Sequence, residues 1–366
     1  RRYLVQATGT RVDIEIAGSP DATDRSRPGK GATDFVFILA EADKSKTADA
    51  PDLGPEDVHY IISSGRAHIL GGSPRGTLYA AYEFLEREFG VRFLTADHTH
   101  VPRTDPPLEL RDTVYTRRTP FEWRLGSHRE VLDDVAFRTR LRANHPLFLH
   151  VKKTPAKYGG HHPMPLPMHS ISGMLNTAQY GKTHPEYFAE VNGVRLLDSH
   201  PRWGIHYTTN VCPSHPDVID ILTRKVLHAL RQRPDLAGYS VAYGDNPVSC
   251  SCDLCQPLLQ SQGSPAGPYV AMVNEIARRV DKAMPGKKIG ALAYWPTLPP
   301  PKDLQVHDNV VMMICPIDVS VIHPIDDPSV EPNTLTDRYT RQWATLTDHL
   351  WVWSYNANIE DYLLPY

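Results

Sequence analysis

No apolar run in this 366-residue chain is long enough to cross a bilayer, which excludes a helical membrane span. Charge of either sign is not in excess: 39 Lys and Arg face 42 Asp and Glu, a net charge of −3. With a pI near 6.7, nothing here steers the chain to nucleic acid or to an anionic membrane. Cysteine is scarce, five residues in all, and four of them fall in two short segments. An odd, clustered set argues against a disulfide framework and for one local metal site or bridge. No fixed-period repeat and no low-complexity segment is present. The chain begins Arg1-Arg2-Tyr3, without Met, so a mature form or a fragment is expected, with any signal peptide upstream. What is abundant is proline (33) and tyrosine with tryptophan (17 and 6), a loop-rich composition with many aromatic faces. Such rings stack on sugars where exposed, though most are expected in the core.

Two rhythms divide the chain. Residues 1 to about 118 read as a small α/β domain. Arg11–Ile16 alternates like a strand, and Asp34–Leu39 reads as a buried one. Residues 60–70 read as a hairpin turning near Ser64-Gly65. Residues 73–90 read as a helix with Leu78, Ala81, Tyr82, Leu85 and Phe89 on its apolar face and Gly90 at its stop. A Pro-rich linker, 101–107, leads out. From Pro120 short apolar runs alternate with helical segments, which implies a parallel sheet, open or closed. Strands are expected to end near Arg124, Val151, Met174, Asp245, Trp295, Asp318 and Asn356. The expected architecture is therefore α/β: a (β/α)8-type TIM barrel over 119–366, ending before its last strand, preceded by the small domain over 1–118.

One stretch carries most of the chemistry. From Gly238 an apolar run ends at Gly244-Asp245-Asn246-Pro247, and Cys250-x-Cys252-x-x-Cys255 follows at once. Catalytic groups collect at the C-terminal ends of parallel strands, which marks Asp245 as a catalytic candidate that lines the main pocket. The competing reading is a plain Asp-Asn-Pro turn. The three thiols can hold Zn²⁺ with a fourth ligand, for which Cys212 is the best placed, about one zinc per chain. Two ordinary disulfides are the alternative. Cys315 reads as a buried small apolar residue.

The segment Gly76–Glu86 with Gly90–Leu94 resembles the small domain preceding the barrel in α-glucuronidases and β-hexosaminidases. Four further segments are His184–Arg195, Asn210–Pro216, the Gly-Asp-Asn…Cys-x-Cys-x-x-Cys stretch, and Leu292–Trp295 with Pro299–Pro301. Together they resemble a bacterial domain family of unknown function that includes the family 163 endo-β-N-acetylglucosaminidases. The resemblance implies a secreted or periplasmic glycoside hydrolase acting on N-acetylglucosamine-containing glycans. It implies substrate-assisted hydrolysis, in which the substrate acetamide is the nucleophile and a carboxylate orients it. Asp245 is the expected carboxylate and Asn246 its hydrogen-bond partner. Two departures stand out: Asp-Asn replaces the Asp-Glu pair of β-hexosaminidases, and Trp353-Ser354-Tyr355 stands where Trp-Asp-Tyr is expected. The other expectations are an exo-glycosidase on uronic or other acidic sugars and a catalytically inactive carbohydrate-binding barrel.

Further candidates follow from strand-end placement. Arg124 can bind a sugar hydroxyl or carboxylate, or can serve an internal ion pair. His161, His162 and His169 can contact substrate from polar loops. Tyr294, Trp295, Trp353 and Tyr355 can form a stacking floor or pack internally. Glu122, Asp318 and Glu360 are the remaining acids at expected strand ends. No organic cofactor is expected.

Overall fold

A computed structural model describes residues 2–8, 14–16, 36–41, 51–103, 110–146, 153–165, 168–197 and 210–355. The chain divides into two units, Arg1–His162 and Pro163–Tyr366.

The first unit is built on a mixed five-stranded sheet. Its strands are β1 (Ile14–Ile16), β2 (Val36–Glu41), β3 (Val58–Ser63) and β4 (Arg66–Gly71), with a fifth further on. β5 (Arg92–Phe93) and β6 (Thr99–His100) form a separate antiparallel pair, and β7 (Thr113–Arg117) completes the sheet in the order β1-β2-β4-β3-β7. β1, β2 and β4 run parallel, while β3 is antiparallel to both β4 and β7. The β3–β4 hairpin turns where expected. Ser64 and Gly65 both take positive φ, 51° and 72°, the two-residue turn whose twist matches the strands. Helix α1 (Arg2–Thr8) precedes the sheet, and α2 (Pro74–Glu88) packs on it. Ser73 caps α2 by accepting from the Gly76 N–H at 3.1 Å. Gly90 ends it at φ 65°, with the Val91 N–H bonded back to the Leu85 carbonyl, the left-handed stop only glycine takes without strain.

The face α2 buries is only partly the expected one. Phe89 is buried as expected and Tyr82 and Leu85 pack half-buried against the core, but Tyr79, Ala80 and Phe84 are fully buried with Tyr60, Ile62 and Ile69, while Leu78 and Ala81 are half-buried. The helix is rotated because Glu83, which sequence patterning places outward, is drawn inward by partners distant in sequence. Its carboxylate meets Arg117 at 3.1 Å, Arg142 at 3.1 Å and the Tyr115 hydroxyl at 3.0 Å. Short helices α3 (Arg129–Asp133) and α4 (Val135–Arg140) follow. Residues 121–125 form no strand: Phe121 is 63% exposed, and the backbone of Arg124 bonds the Asn144 side chain and backbone at 2.8 and 3.0 Å. The expected strand end at Val151 lies outside the described residues.

The second unit opens with α5 (Ile171–Met174) and α6 (Thr177–Tyr180). A strand was expected at 170–174. Four residues of mixed Ile, Ser, Gly and Met do not distinguish the two periods. Ser170 decides: its hydroxyl donates to the Ser240 carbonyl at 2.8 Å and accepts the Ala242 N–H at 3.1 Å, so a side chain replaces a ladder partner. A hairpin comes next, β8 (Glu190–Val191) and β9 (Val194–Arg195), turning on Asn192-Gly193 with both φ positive. Helix α7 (Pro216–Gln232) leads into β10 (Gly238–Ser240); α8 (Gln256–Gln262) and α9 (Ala266–Ala283) lead into β11 (Lys288–Ala293). β12 (Val310–Ile314), α10 (Glu331–Trp343) and β13 (Leu350–Val352) complete the described chain.

β10, β11, β12 and β13 pair side by side in chain order, all parallel. β12 is buried along its whole length and β11 after its first residue, as expected of parallel strands covered on both faces. Val218, Leu222 and Val226 of α7, with Val270, Val273, Ile276 and Val280 of α9, pack into the core of this sheet. Among the described residues four of the seven expected strands form one parallel sheet, those at 121–125 and 170–174 do not form, and the one ending at Val151 lies outside the described residues.

Candidate active site

Because the four strands are parallel, their C-terminal ends share one edge. β10 runs into Asp245, β11 into Tyr294 and Trp295, β12 toward Asp318, and β13 into Trp353 and Tyr355. The sequence thus places a carboxylate and four aromatic residues on the edge where parallel α/β sheets carry their sites.

At the end of β10, two adjacent residues divide the work. Asn246 makes the turn: its side-chain oxygen accepts the Val248 N–H at 3.0 Å, an Asx-type closure, and also the Asn210 amide at 3.1 Å. Asn246 is 6% exposed, and its own amide nitrogen is buried without a protein partner among the described residues. Asp245 is thereby left out of the turn. Its carboxylate accepts the Tyr294 hydroxyl across the strand at 3.0 Å and keeps about a quarter of its surface, 26%, in solvent. The plain-turn reading therefore describes Asn246, not Asp245. The expected bond between Asp245 and Asn246 is not formed; Asn246 faces Asn210 and Val248.

His169 stands beside this pair. Its Nδ1 lies 2.6 Å from the Tyr243 carbonyl, which can only accept, so Nδ1 carries the proton. Nε2 then faces the Asp245 carboxylate at 3.9 Å, too far for a direct bond. The His169 and Tyr294 rings are 5.8 Å apart. Burial first, and the Asp245 charge next, raise the Tyr294 phenol above its ordinary pKa, so it stays a hydrogen-bond donor at neutral pH. Tyr355 is also raised, by burial first and by the nearby Asp245 and Asp318 carboxylates as well.

Trp295 stacks on Tyr294, centroids 5.3 Å apart and planes 18° from parallel, and 37% of it is exposed. Its backbone sits at φ 49°, a left-handed conformation that costs a bulky residue on the order of 1–3 kcal/mol. Thr297 holds it there, exchanging 3.1 Å bonds with Tyr294 on both sides of the tryptophan. Trp353 and Tyr355 lie 6.1 Å apart at 40°.

Two candidates belong to the first unit instead. The Arg124 guanidinium is engaged internally: it pairs with Glu56 and donates to the Arg142 carbonyl at 2.8 Å and to the Phe121 carbonyl. His162 donates its backbone N–H to Asn144 at 2.8 Å, and burial holds its imidazole below the ordinary range, hence neutral. The centre of that network is Glu56, which the sequence reading did not single out. It is 7% exposed and takes Arg75 at 2.6 Å, Arg124, and the Asn144 amide at 2.9 and 3.0 Å. Paired with two guanidiniums, it meets the requirement of a buried charge.

Four of the five cysteines, all five in the second unit, do come together. Cys212, Cys250, Cys252 and Cys255 are free, buried, and have all sulfurs within 4.8 Å of one another. Cys315 is buried apart from them. A cavity of about 670 Å³ lies between α5 and α7, lined by Met174, Arg224, Lys225, His228, Arg231 and Tyr239 among others. Asp245 is not among its lining residues.

Residues 93–366 match the family described as "Domain of unknown function (DUF4838)". Three quarters of the chain is covered, and the protein belongs to that family. No curated protein matches the chain. Among solved structures it is similar to a β-N-acetylhexosaminidase of Bacteroides fragilis, 13% identical, over 76% of this chain and 58% of that one, TM-score 0.39. A mutant Streptomyces plicatus β-hexosaminidase with its GlcNAc product is 11% identical over 97% of this chain and 66% of that one, TM-score 0.39. A family 20 exo-β-N-acetylglucosaminidase of Vibrio harveyi with N-acetylglucosamine is 15% identical over 82% and 50%, TM-score 0.36. The chain spans between half and two thirds of the length of these three proteins.

Proposed function

We propose that this protein is a glycoside hydrolase acting on N-acetylglucosamine-containing glycans by substrate-assisted hydrolysis. The observation that carries the reading is the Asp245–Tyr294 pair at the C-terminal edge of the parallel sheet, with Trp295 stacked and half-open beside it. The arrangement offers what the chemistry needs. An indole face binds the apolar face of a sugar ring. A carboxylate accepts the acetamide N–H and stabilises the positive charge that grows as the acetamide oxygen attacks the anomeric carbon. The Tyr294 hydroxyl, held protonated, fixes the orientation of the carboxylate. His169 Nε2 faces the same carboxylate and is placed to contact the substrate. Asp318, which follows β12 on the same side of the sheet, is the acid we assign to the leaving oxygen. In this reading the parallel sheet is part of a (β/α)8 barrel, and the protein works outside the cytoplasm.

The test is a hydrolysis panel with the purified chain: aryl N-acetylglucosaminides, chitobiosides, N-glycans, and aryl uronides as the acidic-sugar control. Release of reducing ends from the N-acetylglucosamine substrates is expected. Glycan binding without turnover overturns the hydrolase reading in favour of a binding module. Turnover confined to the uronides overturns the substrate class.

A further inference from the structure

The cysteine quartet has no part in the hydrolysis above, and it sits directly behind the loop that carries Asp245. Its geometry is specific. Cys212 Sγ lies 3.5 Å from Cys252 Sγ and 3.7 Å from Cys255 Sγ, and Cys252 lies 3.8 Å from Cys255. A tetrahedron with metal–sulfur bonds of about 2.3 Å has edges of about 3.8 Å. Paired disulfides would instead draw two couples to about 2.05 Å and push the others apart. No couple stands out here, and all four residues are free.

The surroundings also fit a metal. The four residues are 0–3% exposed, so the site is closed to solvent. Four ionised sulfurs around a divalent cation leave a net negative charge, which needs donors nearby. The Glu190 N–H points at Cys250 Sγ at 3.3 Å, and the Arg195 guanidinium lies 3.8 Å from the same sulfur. Arg195 also pairs with Glu190 at 3.1 Å, which offsets part of its charge. Both donors come from the β8–β9 hairpin. Ser251 ties that hairpin to the cysteine loop, its N–H and hydroxyl bonding the Glu190 carbonyl at 2.8 and 3.0 Å.

We infer that Cys212, Cys250, Cys252 and Cys255 form a structural zinc site that locks the 244–255 loop, and with it Asp245, to the segment 210–212. With four protein ligands the site leaves no position for water or substrate, so its role is architectural. Binding displaces four thiol protons to solvent and forms four metal–sulfur bonds, with no change of oxidation state. The lock is doubled by Asn210, two residues before Cys212. Its amide donates to Asn246 Oδ1 at 3.1 Å and to the Val248 carbonyl at 2.7 Å, and its oxygen accepts the Gly244 N–H at 2.7 Å. Asn210 thus grips the loop at 244, 246 and 248 and the metal grips it at 250, 252 and 255, and Asp245 lies between two residues that Asn210 holds. The inference stands independently of the hydrolase reading.

The full chain, purified in thiol buffer without chelator, tests it by elemental analysis and native mass spectrometry. About one zinc per chain is expected, lost in Cys212→Ser and Cys252→Ser and kept in Cys315→Ser. Cobalt substitution of the unmutated protein should give the intense visible bands of a tetrahedral thiolate site, a readout that needs no variant to fold. Removing the metal should increase hydrogen exchange at 187–196, 210–212 and 244–255. A metal-free protein that takes up neither ion when reduced overturns the site, as does peptide mapping that finds two disulfides among the four residues. Zinc bound with unchanged exchange at 244–255 overturns the locking role.

Discussion

Asp245→Asn separates catalysis from folding. The two side chains have the same shape, and Asn keeps an oxygen that can accept the Tyr294 hydroxyl now at 3.0 Å. What changes is charge. A hydrogen bond to a charged group contributes roughly 1.5–3 kcal/mol and a neutral one roughly 0.5–1.5, so the fold should lose about 1 kcal/mol. The carboxylate is 26% exposed, and solvent screening pulls that figure down further. A melting temperature lower by no more than about 3 °C follows. Catalysis loses more. A neutral amide cannot stabilise the cation that develops on the acetamide, and removal of one such electrostatic group costs on the order of 10²–10³ in rate, about 2.7–4 kcal/mol. Tyr294→Phe keeps the charge and removes only its hydroxyl partner, so it should cost about tenfold. The assay is kcat/KM on an aryl N-acetylglucosaminide with calorimetry of each variant in parallel. Activity of Asp245→Asn within threefold of the unmutated protein would refute the role assigned to the carboxylate. A large fall in both activity and melting temperature would show that Asp245 serves the fold instead.

Trp295→Gly should relieve the left-handed backbone at φ 49° while removing the stacking face. The expected result is a several-fold rise in KM for glycans with a melting temperature changed by only a few degrees; unchanged KM would show that the indole is not a sugar platform. Glu83 titrates below the ordinary carboxylate range: burial pushes it up, but Arg117, Arg142 and the Tyr115 hydroxyl outweigh burial. A depressed folded-state value means that its contribution is present above the unfolded Glu pKa and lost as pH falls through the folded one. Hydrogen exchange of α2 and β7 in the full chain should therefore increase on acidification below about pH 4.3. Glu83→Gln should already show that loss at neutral pH and flatten the acid limb; an unaltered limb would assign it to other groups.

What the sequence reveals of this fold is local. Ser64-Gly65 and Gly90 mark their turn and helix stop through conformations few other residues accept, and both stand where expected. The apolar runs at 289–293 and 310–314 are strands because nothing polar interrupts burial on either face. The errors share a cause. The rotation of α2 depends on Glu83 finding Arg117 and Arg142, 34 and 59 residues away. The helix at 171–174 depends on Ser170 reaching the end of β10, about 70 residues on. Side-chain bonds over such distances leave no periodic trace.

The site divides along the same line. Asp245 and the aromatic residues after β11 and β13 were legible because strand ends in a parallel sheet share an edge, and short local patterns fix where strands end. Arg124 reads alike as a ligand or as an internal pair, and only Glu56, 68 residues away, decides for the pair. Asn246 shows the limit most clearly. Beside Asp245 in sequence it reads as a catalytic partner, yet its oxygen is bound by Asn210, 36 residues earlier. That contact also explains why Asp245 is available at all. An Asp-Asn pair needs only one member to close the turn after β10. Asn210 and the Val248 N–H together hold Asn246 in that role. The Asp245 carboxylate is then free to reach across to Tyr294, a division of labour set by a residue outside the motif.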